Sequence, residues 1–468
     1  MQAGAPISLV MPGIRLNFAL VMIMKLNREI LRLSVPAIIS NVTVPLLGLC
    51  DTAIAGHLKA DSFIGAIAVG SMMLNVTFWL FGFLRMGTTG MTALAFGSGD
   101  ERGVRRIFTR AFILGLMIGM TLLIVGGMLR DGLLSVISPV GEVRSLASRY
   151  YSLCLISAPA ILATTAVQGW LFGMQTTFLP MVISISVNII NIAASLSLVF
   201  GFRMGFIGIA YGTMTANWVG LILALVLARK RASGRLWCSW REIWSDGGLK
   251  RFFSVNTDIF FRSGCIMAVS LSTTAIGARL GELTLATNAV MMQFFHFFSF
   301  FMDGFAFTAE ALTGRFAGAS DFPMMKRCRR RLIVWSAGMA VVFFLIYAFL
   351  SPEIVGFITD SSAVRANVGQ YRLWLMLIPP LTVAAFIYDG FYIGLTATRQ
   401  MLVVTIVASV AFFAIAFLHP NGLGLPDNNG LWMAFLTYLS VRGGLLALWG
   451  RRVFSPEFIL HIKKSRST

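Results

Sequence analysis

The sequence predicts an all-α polytopic membrane protein with twelve transmembrane helices in two six-helix lobes related as parallel repeats. Three observations carry that reading. Of 468 residues, 57% are hydrophobic and only 12% charged, with a mean hydropathy of +0.81, whereas about a quarter of the residues in soluble domains are charged. Twelve apolar stretches are each long enough for a bilayer core, which takes about 17 to 25 helical residues. The second half of the chain also repeats the first at an offset of 221 residues without a gap.

The offset places Gly56 on Gly277, Thr52 on Thr273, and Thr92, Gly97 and Asp100 on Thr313, Gly318 and Asp321. Further along, Arg106 and Arg110 fall on Arg327 and Arg331, Tyr150 on Tyr371, Pro159 on Pro380, and Gly169 and Gly173 on Gly390 and Gly394. Solenoid repeats recur every 20 to 50 residues or so, so a period this long duplicates a whole bundle. The expected spans in the first unit are 33–57, 63–97, 111–129, 150–174, 181–200 and 207–228. Those in the second are 253–278, 283–316, 332–350, 373–396, 401–418 and 431–449. Runs of this length fit helices and not barrel strands, which are about ten residues with strict alternation.

These spans divide the chain into a first lobe over 25–228, a linker over 229–252, a second lobe over 253–452 and a tail over 453–468. Residues 1–24 form an uncertain extension: Leu16 to Met24 resembles a short signal core, yet no small-residue cleavage site precedes Lys25, and Met22 or Met24 would serve as a start. The net charge of +19 gathers in loops. Arg102, Arg105, Arg106 and Arg110, then Arg229 to Arg251, then Lys326 to Arg331 lie on one side, which the positive-inside bias makes cytoplasmic together with both termini. Six spans per lobe bring both lobes in from the same side, so the pseudo-twofold axis runs along the membrane normal. The basic charge thus needs no nucleic-acid partner, and no soluble basic face with interleaved aromatics is present. In the linker, Trp237, Trp240 and Trp244 suit either an interfacial belt or packing on the bundle. The five cysteines have no CxxC spacing, which argues against a disulfide framework and a zinc site.

Ionisable side chains at bilayer depth are costly and usually face a cavity or a partner. Five acids qualify: Asp51 in the first span, Asp258 in the seventh, Asp303 and Glu310 in the eighth, and Asp389 in the tenth. Their repeat mates are Ser272, Ala37, Gly82, Thr89 and Gln168, so the scaffold was duplicated and the charges were not. Asp303 and Glu310, seven residues apart, share a helix face. Arg85, Arg262 and Arg442 are the intramembrane cations, and Arg262 follows Asp258 by four residues, the spacing of an ion pair within one helix. Desolvation disfavours the charged form of a carboxyl group, so an acid in an apolar cavity can load and release a proton; a sodium ion is the alternative occupant. The eighth span also carries Phe294, Phe295, Phe297, Phe298, Phe300, Phe301, Phe305 and Phe307 with Met291, Met292 and Met302. They suit lipid-facing packing or, alternatively, a soft cavity for flat hydrophobic cations.

The run Val44-Pro45-Leu46-Leu47-Gly48-Leu49-Cys50-Asp51-Thr52-Ala53-Ile54-Ala55-Gly56-His57-Leu58 resembles the MATE (multidrug and toxic compound extrusion) transporters, most closely their DinF branch. Leu84-Arg85-Met86, Asp303-Gly304-Phe305-Ala306 with Glu310, and Asp389-Gly390 with Ile393-Gly394 are similar to the same branch. The resemblance covers the chain from about Asn27 to Arg452 and implies two lobes forming a V, with alternating access driven by proton or sodium influx. It also implies a first-lobe cation site, matched by Asp51, Asn191 and Thr213, while Ser195 stands where the family has a second aspartate. The resemblance links first-helix prolines to bending, which makes Pro36 and Pro45 candidate hinges beside the plainer reading of a kink.

The resulting expectation is a secondary antiporter of the bacterial inner membrane. It would exchange H+ or Na+ for amphipathic, cationic organic compounds, as a monomer among membrane lipids with no cofactor or resident metal. Asp51, Asn191, Ser195 and Thr213 would form the cation-coupling site, and Asp303, Glu310, Asp389, Asp258 and Arg262 the substrate cavity. The rival is a lipid-linked precursor flippase of the same superfamily, which needs a cationic cavity for a pyrophosphate; five acids against three cations count against it. An intramembrane enzyme would need a nucleophile with a base or a metal cluster. Neither His57 nor His296, the two histidines near spans, has HExxH spacing.

Overall fold

A computed structural model describes residues 12–58, 61–232, 234–244, 248–419, 422–423 and 427–464. The first lobe comprises α1 (Pro12–Gly56), α2 (Asp61–Trp79), α3 (Phe83–Gly97), α4 (Glu101–Ile137), α5 (Glu142–Leu155), α6 (Ala158–Gly173), α7 (Phe178–Leu196) and α8 (Phe206–Arg231). A short α9 (Trp240–Trp244) occupies the linker. The second lobe comprises α10 (Gly248–Arg279), α11 (Glu282–Gly318), α12 (Phe322–Ile358), α13 (Ser362–Gln370), α14 (Arg372–Gly394), α15 (Thr398–Phe417) and α16 (Asn428–Val453), followed by α17 (Pro456–Lys464). A two-residue ribbon, β1 (Leu418–His419) against β2 (Gly422–Leu423), is the only strand pairing among the described residues. Among the described residues eleven helical stretches are long and apolar enough to cross a membrane, and α5 with α6, bent by 53°, makes a twelfth if the pair is taken as one span. This is a multi-pass membrane protein.

Local chemistry sets the helix ends. Asp100 accepts from the Gly103 amide at 2.8 Å to start α4, and its repeat mate Asp321 accepts from the Met324 amide at 3.0 Å to start α12. Each such cap contributes about 1 kcal/mol. The second span does not duplicate perfectly. Between α2 and α3 the chain tightens into a 3-10 turn over Leu80–Gly82, whereas α11 runs unbroken through Asp303, the mate of Gly82. At the N-terminal side, α1 begins at Pro12 and passes through Pro36 and Pro45, so residues 12–24 are helical and continuous with the first span. The expected extension over 1–11 lies outside the described residues. In the linker, Trp237 packs edge-on against Phe108 and Phe112, both at 5.0 Å, while Trp240 and Trp244 are exposed and meet each other.

Each lobe's first helix also serves the other lobe. Leu26, Ile30 and Leu33 of α1 are buried with Phe305, Leu312 and Phe316 of α11. In turn, Phe252, Val255 and Ile259 of α10 are buried in the first lobe's core. The lobe boundaries expected from the sequence therefore mark chain order more closely than packing units.

Because lipid offers little hydrophobic drive for helix association, small residues that let backbones touch carry much of it. A Cβ on Gly97 would stand 2.0 Å from the Arg315 carbonyl oxygen, and one on Gly318 would stand 2.3 Å from that of Leu94. Gly97 and Gly318 are repeat mates, as are Leu94 and Arg315, so a single contact is made twice about the pseudo-twofold axis. Within the lobes the seam repeats as well: Gly169 lies against the Arg85 carbonyl and Gly390 against that of Ala306. The lobes thus meet backbone to backbone at the end bearing the basic loops.

Candidate transport cavity and cation site

Just inside that seam the lobes separate around a cavity of about 870 Å³. Its walls run from Glu310 and Ile393 along α10 to Leu271 and along α2 to Asn75, toward the end of the molecule opposite the basic loops. The seven-residue spacing puts both Asp303 and Glu310 of α11 on it, as expected, and Asp389 joins them from α14. Arg85, Arg262 and Arg442 also line it.

The cations and acids are largely paired. Arg85 reaches from α3 across the lobe boundary, its Nη1 and Nη2 donating to Glu310 Oε2 and Oε1 at 3.0 and 3.4 Å. The guanidinium lies 3.8 Å from the centre of the Phe307 ring. Such a two-pronged contact is directional as well as attractive. Arg262 and Arg442 both donate to Asp389 Oδ2, while Asp389 Oδ1 has no partner. Asp303 forms no ion pair or hydrogen bond among the described residues, and its carboxylate stands on the cavity wall.

Two sequence expectations are corrected here. Asp258 and Arg262 do not pair along their helix. Arg262 turns into the cavity toward Asp389, and Asp258 accepts instead from the Thr398 hydroxyl at 2.7 Å, outside the cavity lining. The reason is that one helix turn places two side chains near each other, whereas a buried guanidinium goes where an acid can compensate it. The count of five acids against three cations also fails as a description of the cavity, because Asp51 and Asp258 lie elsewhere and three acids face three arginines. The aromatic run of α11 divides between its two readings. Phe295, Phe300, Phe307 and Met292 line the cavity; Phe294, Phe298, Phe305, Met291 and Met302 are buried packing, and Phe297 is exposed.

The first lobe holds a second polar centre. Asp51 is only 4% exposed in the last turns of α1, and its Oδ1 has no hydrogen-bond partner among the described residues. Asn191 of α7 donates to the Thr213 hydroxyl of α8 at 2.9 Å. The link between them is Tyr150 of α5, which interacts with Ser71, Thr213, Cys154 and Asp51. Ser195 sits against α8, where a Cβ on Gly212 would be 2.2 Å from its hydroxyl oxygen. Asn191 Oδ1 and Ser195 Oγ are, like Asp51 Oδ1, buried without partners. Among the described residues no group of three His, Cys, Asp or Glu side chains exists that could hold a metal. The centre therefore offers one carboxylate among amide and hydroxyl oxygens. Sequence reasoning missed Tyr150, Ser71 and Cys154; the repeat pairs Tyr150 with Tyr371, but nothing in it points at Asp51. The partners of Arg85 and Arg442 had a signal, since an arginine at that depth requires an acid.

Two lobes about a pseudo-twofold, enclosing a charged cavity at mid-depth, define a membrane transporter. The chain belongs to the MatE family, in the DinF branch. The MatE family model matches residues 36–197 and again 259–418, once per lobe. DNA damage-inducible protein F of Escherichia coli is 33% identical over 91% of this chain and 92% of its own length. A MATE crystal structure in the bent conformation superposes with a TM-score of 0.81 at 17% identity, covering 95% of this chain and 97% of that one. The outward-facing conformation of a multidrug resistance MATE transporter of the MOP superfamily gives 0.77 at 17% identity, covering 93% and 96%. It is thus a multidrug and toxic compound efflux transporter of that family.

Proposed function

We propose that this transporter exports amphipathic organic cations from the bacterial cytoplasm in exchange for H+, or for Na+, with both termini cytoplasmic and the monomer as the working unit. The observation that carries the reading is Asp303, the cavity acid that forms no ion pair or hydrogen bond among the described residues, on a lining it shares with Phe295, Phe300 and Phe307. A free carboxylate with aromatic faces suits a flat cation. The coupling ion is assigned to Asp51 with Asn191, Ser195 and Thr213, where a buried, uncompensated carboxylate needs a proton or a cation beside it. Glu310 and Asp389 act through the arginines they hold, and Pro36 and Pro45 are the hinge of α1. The chain carries no enzymatic activity in this reading.

The flippase reading rests on Arg262 and Arg442, two cavity guanidiniums on one carboxylate, which would suit a pyrophosphate if Asp389 released them. Proteoliposome transport of a fluorescent cation under an imposed pH or sodium gradient separates the readings. Gradient-driven transport is expected from wild type and not from Asp51→Asn. Equal transport by both would sink the Asp51 assignment, and transport of no cation would favour the flippase.

A further inference from the structure

The two basic ends of the lobes are capped differently, and the difference leaves a pocket. On the first lobe the linker forms the cap: Trp237 lies on Phe108 and Phe112, the Arg110 guanidinium donates to the Ile243 carbonyl at 2.6 and 3.1 Å, and the Cys238 amide donates to Thr109 at 3.2 Å. Acids balance the cations there. Arg105 is 3.9 Å from Glu101, and Glu242 lies near Arg105 and Arg102. The 221-residue register puts the C-terminal helix α17 in the same role on the second lobe, with Phe458 and Ile459 in the places of Trp237 and Cys238, and Ile459 is buried.

The register keeps a cation at two of these positions, replaces both acids, and turns Arg102 into Pro323. Arg105 becomes Lys326 and Lys230 becomes Arg451, while Glu101 becomes Phe322 and Glu242 becomes Lys463. The result is a cavity of about 570 Å³ lined by Lys326, Arg329, Arg451, Tyr388, Phe454 and Pro456 among others, with no acid in its lining. Arg329 is held over the Phe454 ring at 4.4 Å, and none of the three cations forms an ion pair among the described residues. Glu457, beside the lining Pro456, is exposed and takes no part in the wall.

We propose that this pocket binds a phosphate ester, supplied by the headgroup of an anionic phospholipid of the inner leaflet. The pocket lies between the start of α12 and the end of α16, beside Tyr388 of α14, on the side where the basic loops gather. Basic pockets between helices on that side are the expected seat of such headgroups. Exposed Leu460 of α17 continues the site toward acyl chains.

The test is a thermal-shift titration of the full-length protein in neutral detergent with short-chain phosphatidylglycerol, phosphatidylcholine or inorganic phosphate. Native mass spectrometry of retained lipid runs in parallel. Phosphatidylglycerol is expected to stabilise the protein and the other two are not. Lys326→Gln with Arg451→Gln, both exposed and so tolerant of change, is expected to bind it about thirtyfold more weakly, the loss of two basic side chains beside an anionic headgroup. The register mates, Arg105→Gln with Lys230→Gln, are expected to bind it as wild type does. Equal binding by wild type and the Lys326/Arg451 variant overturns the proposal, and so does equal weakening by the Arg105/Lys230 control. Stabilisation by inorganic phosphate that matches phosphatidylglycerol overturns the lipid source.

Discussion

The first lobe's Asp51 centre and the second lobe's Asp389 centre occupy one duplicated scaffold and handle buried charge in opposite ways. Asp389 is compensated twice over, by Arg262 and Arg442. Asp51 forms no ion pair among the described residues, where Tyr150 and Cys154 interact with it, and one of its oxygens has no partner. A compensated carboxylate holds helices in place, and removing it strands two guanidiniums. An uncompensated one adds little to packing and is free to take up and give back a cation. The lobes therefore divide into a fixed electrostatic frame and an exchangeable site, and substitutions should separate stability from transport along that line.

The sharpest break is Asp389→Asn. Leaving two buried arginines without their acid should cost about 3–5 kcal/mol, seen as a large drop in the melting midpoint in detergent or as loss of monodisperse protein. Stability equal to wild type would remove the frame from the comparison. Next is the seam at the basic end. Gly318→Leu places a side chain where a Cβ already meets the Leu94 carbonyl at 2.3 Å, and overpacking of this kind costs about 1–3 kcal/mol. Cysteine cross-linking between α3 and α11 near that end should fall as the lobes are wedged apart; unchanged cross-linking would mean that the seam yields without cost.

Arg85→Gln breaks the pair across the lobe boundary and leaves Glu310 unpartnered, an effect of about 1–3 kcal/mol that Glu310→Gln in the same chain should partly reverse. A double-mutant cycle on melting midpoints reads the coupling, and additivity would show that the pair is not felt. Asp51→Asn should leave the melting midpoint where it is and abolish gradient-driven transport; a stability loss as large as that of Asp389→Asn would erase the contrast between lobes. A similarly small structural effect belongs to Asp303→Asn, which breaks no pair and should change stability by less than about 0.5 kcal/mol while raising KM for a cationic substrate. An unchanged KM would take Asp303 out of substrate binding.

Much of this was legible along the chain. The offset of 221 residues lined up Gly97 with Gly318 and Asp100 with Asp321, and the structure uses both pairs in the same way in each lobe. Helix periodicity put Asp303 and Glu310 on one face. The same local logic misled at Asp258 and Arg262, where a spacing of four residues suggested a pair that neighbouring helices pulled apart. Nor did any pattern reveal that α1 and α10 each pack into the opposite lobe, that Tyr150 lies between Asp51 and Thr213, or that the linker and α17 are counterpart caps with unequal charge.

The sequence by itself determined which segments are helical and membrane-sized, that the bundle was made twice, and which side chains are too polar for lipid to leave unexplained. Those properties are local or periodic: they depend on hydropathy, on turn chemistry and on identity at a fixed offset. The tertiary structure decided the partners. Whether an arginine meets Asp258 or Asp389, and whether a carboxylate is compensated or left open, depends on contacts between helices far apart in sequence. Buried charges settle those contacts by finding whichever counter-charge the packed bundle brings within reach.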